Sequence, residues 1–447
     1  MTLQAGAAVR DISPTKAMAL YGYPHVARVS TGIHDPLLAS ALFLENNGKT
    51  LVLVALDLLF LDPPLARLIR KRVAEALKIP ESGVFISCTH THSGPVTRGP
   101  MSEGQDILGR KPDPDYLTQV GDEVVEAAFA AATAAVPAEV SWTSADARGV
   151  GGNRLSADGV TDPECGILAV RNADTKSMLA VSLIYGMHPT VLHEDSKLVS
   201  SDFPHYTRLH LRERFGDGVT VLYHTAPCGN QSPRYFVKGQ TFAEAERLGR
   251  KLGVAAASSL AGIPESSWSA SPRLDAILTP VDLPRRPLMP LEAAQARLDE
   301  YRATFARLKA EGAPHPEVRT AECAIFGAEG GVALAKSEAA GDIARTLAEY
   351  APLEVQLIRI GEVDVVGIPG ECFTEYALAI KHAAKTKTFV VSLVNGELRG
   401  YVVTPEVLAA GGYEATSAVF DPAAGSVLVK TALALGERVA AVRPEKG

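Results

Sequence analysis

Short runs of apolar residues, separated by polar turns, recur along the whole chain. They cover residues 51–56, 84–87, 138–142, 179–185, 219–223, 355–360, 363–368 and 389–394. Several are almost continuously apolar, which is typical of strands that are covered on both faces. Stretches with helical periodicity alternate with them, at residues 63–77, 116–134, 203–215, 241–260, 291–311 and 371–384. This alternation predicts an α/β fold in which mixed β-sheets pack between helices.

The segment between about residues 284 and 352 differs in character from the rest of the chain. A proline-rich sequence leads there into a charged, alanine-rich stretch with helical periodicity. Because buried strands flank it on both sides, we expect a helical insertion or lid within a single domain that spans residues 1–447. The last apolar stretch, residues 425–442, predicts a closing helix.

The composition is that of an ordinary globular protein that binds a small molecule. The 447 residues are 47% hydrophobic and 21% charged, which is enough to build a large core. The formal net charge is -7 and the sequence has no basic patch, so nucleic acid and anionic membranes are excluded as partners. A small molecule is the expected partner, and a homo-oligomer is left open.

The N-terminal sequence predicts a cytoplasmic location. It lacks the basic start and apolar run of a secretory signal, and Asp57 interrupts the longest apolar run, residues 51–61. We therefore expect no stable membrane anchor. The five cysteines form no Cys-x-x-Cys pair and are odd in number, so we expect reduced thiols rather than disulfides or zinc ligands.

The strongest chemical signal in the chain lies at residues 84–95. An apolar strand ends there in Thr89-His90-Thr91-His92, and a Ser-Gly-Pro turn follows at once. Strand alternation would send His90 and His92 to the same side, where two imidazoles can bind one cation or flank one substrate. The pair can also be structural, as hydrogen-bonded side chains at the rim of a sheet. The polar groups elsewhere in the chain decide between these interpretations.

Two groups that could act with these histidines follow predicted strands. His188 ends one strand, and Pro189 restricts the backbone beside it. Ser232 lies in a tight turn that could hold its hydroxyl outward, with backbone N–H groups facing a developing oxyanion. Between them, Asp202 is predicted to cap a helix. Each of these signals is weak by itself.

An acid and two tyrosines complete the candidate chemistry. Glu371 follows a buried strand, and we expect it to open the helix at residues 371–384, where a carboxylate is favourable whether or not it binds a metal. Tyr401 and Tyr413 lie in glycine-containing segments, where tyrosines are also common as packing groups.

Taken in order, these elements resemble the catalytic domain of the neutral/alkaline non-lysosomal ceramidases, a family of zinc-dependent amide hydrolases. The resemblance covers most of the chain, and Thr-His-Thr-His-Ser-Gly-Pro is its most specific motif. The matching segments are residues 11–14, 31–35, 89–95, 153–156, 188–190, 200–202, 229–233, 369–371 and 401–413. The resemblance implies a ceramidase-like catalytic domain with the same α/β fold.

The resemblance also implies a metal cofactor. Carried over to matching positions, the zinc ligands would be His90, His188, Glu371 and Tyr401. Two imidazoles, a carboxylate and a phenolate form a nitrogen and oxygen site that suits zinc.

The catalytic roles implied by the resemblance fall on four other residues. Ser232 occupies the position of the family's nucleophile, while His92, Arg154 and Tyr413 fall where the family handles the amide or acyl part of its substrate. In such a site zinc would polarise the scissile carbonyl and activate a water or the Ser232 hydroxyl.

The sequence departs from the family in single residues and in its domain content. Asn230 and Gln231 stand where the family has an acid and a valine, and Leu398 replaces a tyrosine. We also expect the C-terminal β-sandwich domain of true ceramidases to be absent, which favours a small, soluble N-acylated amide over ceramide. The alternatives are a carboxylic ester or lactone hydrolase on the same scaffold, a barrel amidohydrolase and a non-catalytic metal-binding protein.

Overall fold

The computed structural model describes residues 2–23, 25–100 and 110–441. The strands of this part of the chain are β1 (Gln4–Asp11), β2 (Gly32–Ile33), β3 (Leu38–Asn46), β4 (Lys49–Leu56), β5 (Val84–Cys88), β6 (Val136–Asp146), β7 (Gly152–Asn153), β8 (Glu164–Asn172), β9 (Met178–Tyr185), β10 (Leu198–Val199), β11 (Thr220–Thr225), β12 (Gln231–Ser232), β13 (Leu274–Val281), β14 (Leu353–Ile360), β15 (Val363–Gly367), β16 (Glu371–Cys372), β17 (Lys387–Val391) and β18 (Tyr401–Val402). The helices are α1 (Pro63–Leu77), α2 (Pro114–Thr133), α3 (Phe203–Phe215), α4 (Phe242–Ala261), α5 (Leu291–Ala310), α6 (His315–Ala339), α7 (Asp342–Tyr350), α8 (Thr374–Ala383), α9 (Pro405–Ala410), α10 (Tyr413–Ser417) and α11 (Ala423–Ala441).

Two mixed sheets form the centre of the molecule. The larger has eight strands in the order β11-β9-β8-β6-β1-β3-β4-β5, and the smaller has four in the order β13-β14-β15-β17. In the larger sheet β4 pairs with β5 and β9 with β11 in parallel, whereas the other neighbours are antiparallel. The predicted α/β fold with mixed sheets is therefore confirmed.

Side-chain alternation along the strands explains how the layers stack. On β4, Leu53 joins the core between the two sheets, whereas its neighbours Val52 and Val54 join the core under α1 and α2. On β14, Ile358 faces the larger sheet while Leu357 packs under α8 and α11. Both faces of each strand are thus buried, which accounts for the nearly continuous apolar runs in the sequence.

The sequence located eight strands correctly but missed four long ones, namely β1, β3, β8 and β13. Strand β1 shows the reason, because its sequence QAGAAVRD is rich in small residues that carry little β-propensity. The predicted helix at residues 371–384 starts too early. Glu371 lies instead in the short strand β16, and α8 begins only at Thr374.

Three helices occupy the segment that the sequence marked as an insertion. Helices α5 and α6 pack together through Ala294, Leu298, Ala328, Val332 and Ala335, and α6 also contacts α10. All five cysteines are free thiols in this structure. Within the described residues, the helices are too short or too polar to cross a bilayer.

Candidate functional site

The segment after β5 holds the two histidines of the Thr-His-Thr-His motif. Strand β5 ends at Cys88, and His90 has a φ of 68° in the left-handed region, which is unfavourable for a residue with a Cβ atom. Backbone hydrogen bonds from Thr89 to Leu56 and from His90 to Leu58 hold this conformation. The two imidazoles meet, with ring centroids 5.0 Å apart, but they do so through this turn rather than through strand alternation.

His90, His188 and Glu371 bring three potential ligand atoms together. The His90 Nε2 atom lies 3.1 Å from His188 Nε2 and 3.2 Å from Glu371 Oε2, and the third side of the triangle measures 3.5 Å. Zinc bonds of about 2.0–2.1 Å in a tetrahedral site require ligand atoms about 3.3–3.4 Å apart. The triangle therefore has the dimensions of three corners of such a site.

Hydrogen bonds to backbone carbonyls fix the orientation of both imidazoles. The Nδ1 atom of His90 lies 2.9 Å from the carbonyl oxygen of Leu59, and that of His188 lies 2.8 Å from the carbonyl oxygen of Cys228. A carbonyl oxygen can only accept, so each Nδ1 carries the proton and donates. Each Nε2 then faces the triangle. Metal-binding histidines commonly have this arrangement, in which the other ring nitrogen donates its proton to a nearby acceptor.

The polar atoms of this triangle lack the partners that buried groups need. Glu371 Oε2 is buried without a hydrogen-bond partner. Burial lowers the pKa of His188 to about 3, so this imidazole is neutral near pH 7. Burial alone would raise the pKa of Glu371, but His90 and His188 lower it well below its usual value, so the carboxylate is ionised. Lone pairs and a carboxylate that face one another at this distance repel unless a cation lies between them. The donor set therefore fits a zinc ion.

His92 adds a third imidazole to the cluster. One ring nitrogen from each of His90, His92 and His188 lies within 4.8 Å of the others. Both ring nitrogens of His92 are buried without a hydrogen-bond partner, and burial lowers its pKa well below the usual value. The loop that includes Gly22 encloses the ring, because a Cβ atom at Gly22 would lie 2.6 Å from it.

The strand pair β16 and β18 places Tyr401 directly beside Glu371 in a parallel ladder. The ring of Tyr413 packs edge-on against that of Tyr401, with centroids 5.8 Å apart. Burial and then the charge of Glu371 raise the pKa of Tyr401 well above its usual value. A phenolate at this position consequently needs a cation to stabilise it.

Arg154 supports the two tyrosines from behind. Its Cζ atom lies 5.5 Å from the centroid of the Tyr401 ring, and its Nε donates to Glu414 at 2.7 Å. Because Tyr413 and Glu414 are adjacent on α10, Arg154 holds both ends of the tyrosine pair together.

Ser232 lies on β12, opposite Gly152 of β7. Its hydroxyl oxygen accepts a hydrogen bond from the backbone N–H of Arg234 at 3.2 Å. The neighbouring Asn230, a departure from the family motif, accepts a hydrogen bond from the Thr374 N–H at the start of α8. The polar substitution in this turn thus stabilises the start of the helix that follows β16.

A cavity of about 630 Å³ opens above the cluster. Five of the eight predicted site residues are among the described residues that line it: His90, His92, Glu371, Tyr401 and Tyr413. His188 lies beneath them and is completely buried. Arg154 and Ser232 are not among the described residues that line it.

Several residues of the cavity wall were not predicted from the sequence. They include Tyr21, Gly22, Arg98, Glu397 and Arg399, together with residues of α5 and α6 such as Leu298 and Phe326. Glu397 and Arg399 lie only two to four positions before Tyr401, so charged residues beside the tyrosine motif were an available signal. Gly22 and Arg98 had no comparable signal, because they reach the site only through the fold.

Fold and site together define an α/β protein with a buried cluster of histidine, carboxylate and tyrosine side chains that fits a metal ion, at the floor of a cavity. Residues 3–225, the N-terminal half of the chain, match the family model described as neutral/alkaline non-lysosomal ceramidase, N-terminal. The chain belongs to this family.

The similarity to individual ceramidases extends over more of the chain than the family model does. The neutral ceramidase of Pseudomonas aeruginosa is 24% identical over 94% of this chain and 70% of the relative. A solved structure of a ceramidase complexed with C2 has a TM-score of 0.73 at 19% identity and covers 98% of this chain and 76% of its own. The crystal structure of the Pseudomonas aeruginosa neutral ceramidase has a TM-score of 0.71 at 21% identity, with coverage of 98% and 75%. At these identities the structures establish the shared fold.

Proposed function

We propose that the protein is a zinc-dependent hydrolase that cleaves the carbon–nitrogen amide bond of a small N-acylated substrate. Family membership supports hydrolysis of an amide bond. The single observation that carries the zinc dependence is the triangle of His90, His188 and Glu371, whose buried atoms have the spacing and charge that a cation requires.

Tyr401 would complete the ligand set as the fourth protein group, beside Glu371. A bound zinc ion would polarise the scissile carbonyl and lower the pKa of a water molecule. The other parts of the mechanism depend on side chains of the protein. Arg154 positions Tyr401 through the contact of its guanidinium with the tyrosine ring, and Glu371 remains ionised throughout.

His92 and Tyr413 are the groups available to the substrate amide. Both line the cavity beside the cluster. Burial keeps the His92 imidazole neutral, so one ring nitrogen can donate to a developing oxyanion while the other accepts a proton. Burial raises the pKa of the Tyr413 hydroxyl, which keeps it a hydrogen-bond donor. One such donor is worth about 3 kcal/mol when it is well aimed.

The attacking group in this proposal is water rather than Ser232. The Ser232 hydroxyl already accepts a hydrogen bond from the N–H of Arg234, and Ser232 is not among the described residues that line the cavity. Its role in the proposal is to hold β12 against β7 and thereby the backbone that leads to Arg154. A cytoplasmic location remains a prediction, which cell fractionation would test.

The decisive experiment measures zinc and amide hydrolysis in the same preparations. We expect about one zinc per chain in the wild type and loss of both zinc and turnover in His90→Ala and Glu371→Ala. His224→Ala is the matched control, since this histidine is equally buried but bonds Ser87 away from the cluster. Zinc retained in both cluster variants would overturn the ligand assignment. Turnover of matched esters but not of amides would favour the ester or lactone hydrolase instead.

A further inference from the structure

One wall of the cavity is formed by two arginines that share a carboxylate. Arg98 and Arg399 both line the cavity. Their side chains are 16% and 7% exposed, and both contact Glu397, at 2.6 Å from Arg98 Nη1 and 3.6 Å from Arg399 Nε. Glu397 also accepts hydrogen bonds from the Tyr350 hydroxyl and from the Arg399 backbone N–H.

This wall carries more positive than negative charge. Among the described residues, two guanidinium groups contact one carboxylate, and three donors already occupy the acceptor sites of that carboxylate. Asp62, another carboxylate near them, is committed to the cap of α1 through the Leu65 N–H. The Nε atoms of Arg98 and Arg399 are both buried without a hydrogen-bond partner. Buried cations in proteins are normally paired, so the wall calls for another anion.

The positive wall lies close to the cluster that would hold the metal. The Arg98 Cζ atom is 4.5 Å from the centroid of the Phe60 ring, and that ring is 6.5 Å from the His90 ring. One aromatic side chain therefore separates the guanidinium from the cluster. A single small molecule can reach both.

The acidic side chains of the cluster do not neutralise the positive charge of this wall. Glu371 is the one acidic side chain in the triangle, and together with a Tyr401 phenolate it would only balance a divalent cation there. Glu414, the next acid, is paired with Arg154 at 2.7 Å. A cavity lined by such charges concentrates anions from solution.

From these contacts we propose that the substrate is an amide that also carries a carboxylate, which binds at Arg98 and Arg399 while the amide lies over the cluster. This inference rests on the proposed function and names the substrate class of the same site. A ceramide has no charged group and would leave the arginine wall unpaired, so the inference separates this protein from the substrate named for its relatives.

The test compares amides that differ only in charge, using the zinc-loaded protein. One pair is N-succinyl-4-nitroaniline and its methyl ester, with the carboxylate on the acyl side. The other is 4-acetamidobenzoate and its methyl ester, with the carboxylate on the amine side. We expect kcat/KM to be at least tenfold higher for the acid of one pair, and this advantage to fall as salt is added.

Variants assign the preference to the wall. Arg399→Met should abolish the preference for the acid, whereas Arg399→Lys should retain part of it, with zinc content unchanged in both. Arg302→Met is the matched control, since Arg302 lines the same cavity but is half exposed and paired with Glu329. If Arg399→Met does not fold, the wild-type comparison and its salt dependence still decide the question.

The outcomes separate this inference from the proposed function. Hydrolysis of acids and esters at equal rates would overturn the inference and leave the amide hydrolase standing, as would an acid preference that survives in Arg399→Met. If none of the amides is hydrolysed, calorimetry with 4-acetamidobenzoate and its methyl ester takes over. Tighter binding of the acid that depends on Arg399 would support the inference while the proposed function fails, and equal binding would overturn both.

Discussion

At the scale of single residues, the candidate site depends on side chains that the backbone holds in one orientation. His90 and His188 each donate Nδ1–H to a carbonyl oxygen, and His90 keeps an unfavourable φ of 68°. Such strain persists only where the surrounding contacts impose it, and it is concentrated at functional sites. His92 is fixed differently, since packing of Gly22 rather than hydrogen bonds encloses its ring.

Gly22→Ala tests how His92 is positioned. The added Cβ would meet the His92 ring at 2.6 Å, and Gly22 has a φ of +102°. We expect a drop in kcat of tenfold or more with zinc content unchanged, because His92 is not one of the proposed ligands. Gly48→Ala is the control for strain alone, since Gly48 has a φ of +70° with nothing within 4 Å. Both variants should lose about 1–2 kcal/mol of stability. Loss of zinc in Gly22→Ala alone would instead make His92 a ligand.

Ser232→Ala tests the identity of the nucleophile. Because the hydroxyl accepts a hydrogen bond from the Arg234 N–H and Ser232 is not among the described residues that line the cavity, we expect amide turnover to stay within about tenfold of the wild type. Removal of a true serine nucleophile costs about 10⁶-fold in the best-studied serine hydrolase. A loss approaching that size, with zinc retained, would return Ser232 to the nucleophile position that the sequence suggested.

At the scale of elements, the close approach of α6 to α10 forms part of the cavity wall. The two helices meet at glycines, since a Cβ atom at Gly327 would lie 2.6 Å from the Tyr413 Cα and one at Gly331 would lie 2.5 Å from Thr416 Cγ2. Tyr413 begins α10. The helical segment that the sequence marked as an insertion thus supports a candidate catalytic side chain from outside.

Gly327→Ala tests this support. We expect α10 to shift, with a stability loss of about 1–3 kcal/mol and a several-fold drop in kcat, since Tyr413 would move relative to Tyr401. Gly330→Ala is the matched control on the same helix, because a Cβ there meets nothing within 4 Å. Equal activity of both variants and the wild type would show that α6 does not position Tyr413.

At the scale of the whole molecule, two sheets and two sets of helices form four layers, and ion pairs connect the two sheets. Glu164 of β8 contacts Lys387 of β17 at 2.5 Å and Lys381 of α8 at 2.6 Å. Burial alone would raise the pKa of Glu164, but the two lysines outweigh it and lower this pKa to about 2. The folded state therefore favours the ionised carboxylate.

Glu164→Gln tests this connection through pH dependence. Because the pKa of Glu164 is lower in the folded than in the unfolded chain, the ionised carboxylate stabilises the folded protein at pH values above the pKa of the unfolded chain. This contribution is lost as the pH falls toward about 2. We expect the variant to be about 1 kcal/mol less stable than the wild type at pH 7, with the difference shrinking below about pH 4.5 in urea or thermal unfolding. Glu437→Gln, which removes an exposed pair with Lys385, should change little. A difference that does not depend on pH would rule out the ion pairs as its cause.

Much of the fold could be predicted from the sequence, because a buried strand is recognisable as a run of apolar residues. Strands β5, β9 and β11 are buried along their whole or nearly whole length, and their apolar runs gave their positions to within a few residues. The missed strand β1 is paired on both sides, but its alanines and glycine do not form a recognisable run of apolar residues. Glu371 was expected in a helix because a single acid after a glycine fits a helix start as well as a two-residue strand.

By itself, the sequence determined most of the buried segments, the candidate residues for the chemistry and the family to which the chain is similar, since these are properties of short stretches and of their order. The tertiary structure alone decided that His90, His188 and Glu371 form one triangle and that Gly22, Arg98 and Arg399 surround the same cavity. Contacts between residues that are hundreds of positions apart produce no recognisable pattern in the sequence of either segment. They exist only once the two sheets have packed and the segments between their strands have been brought together.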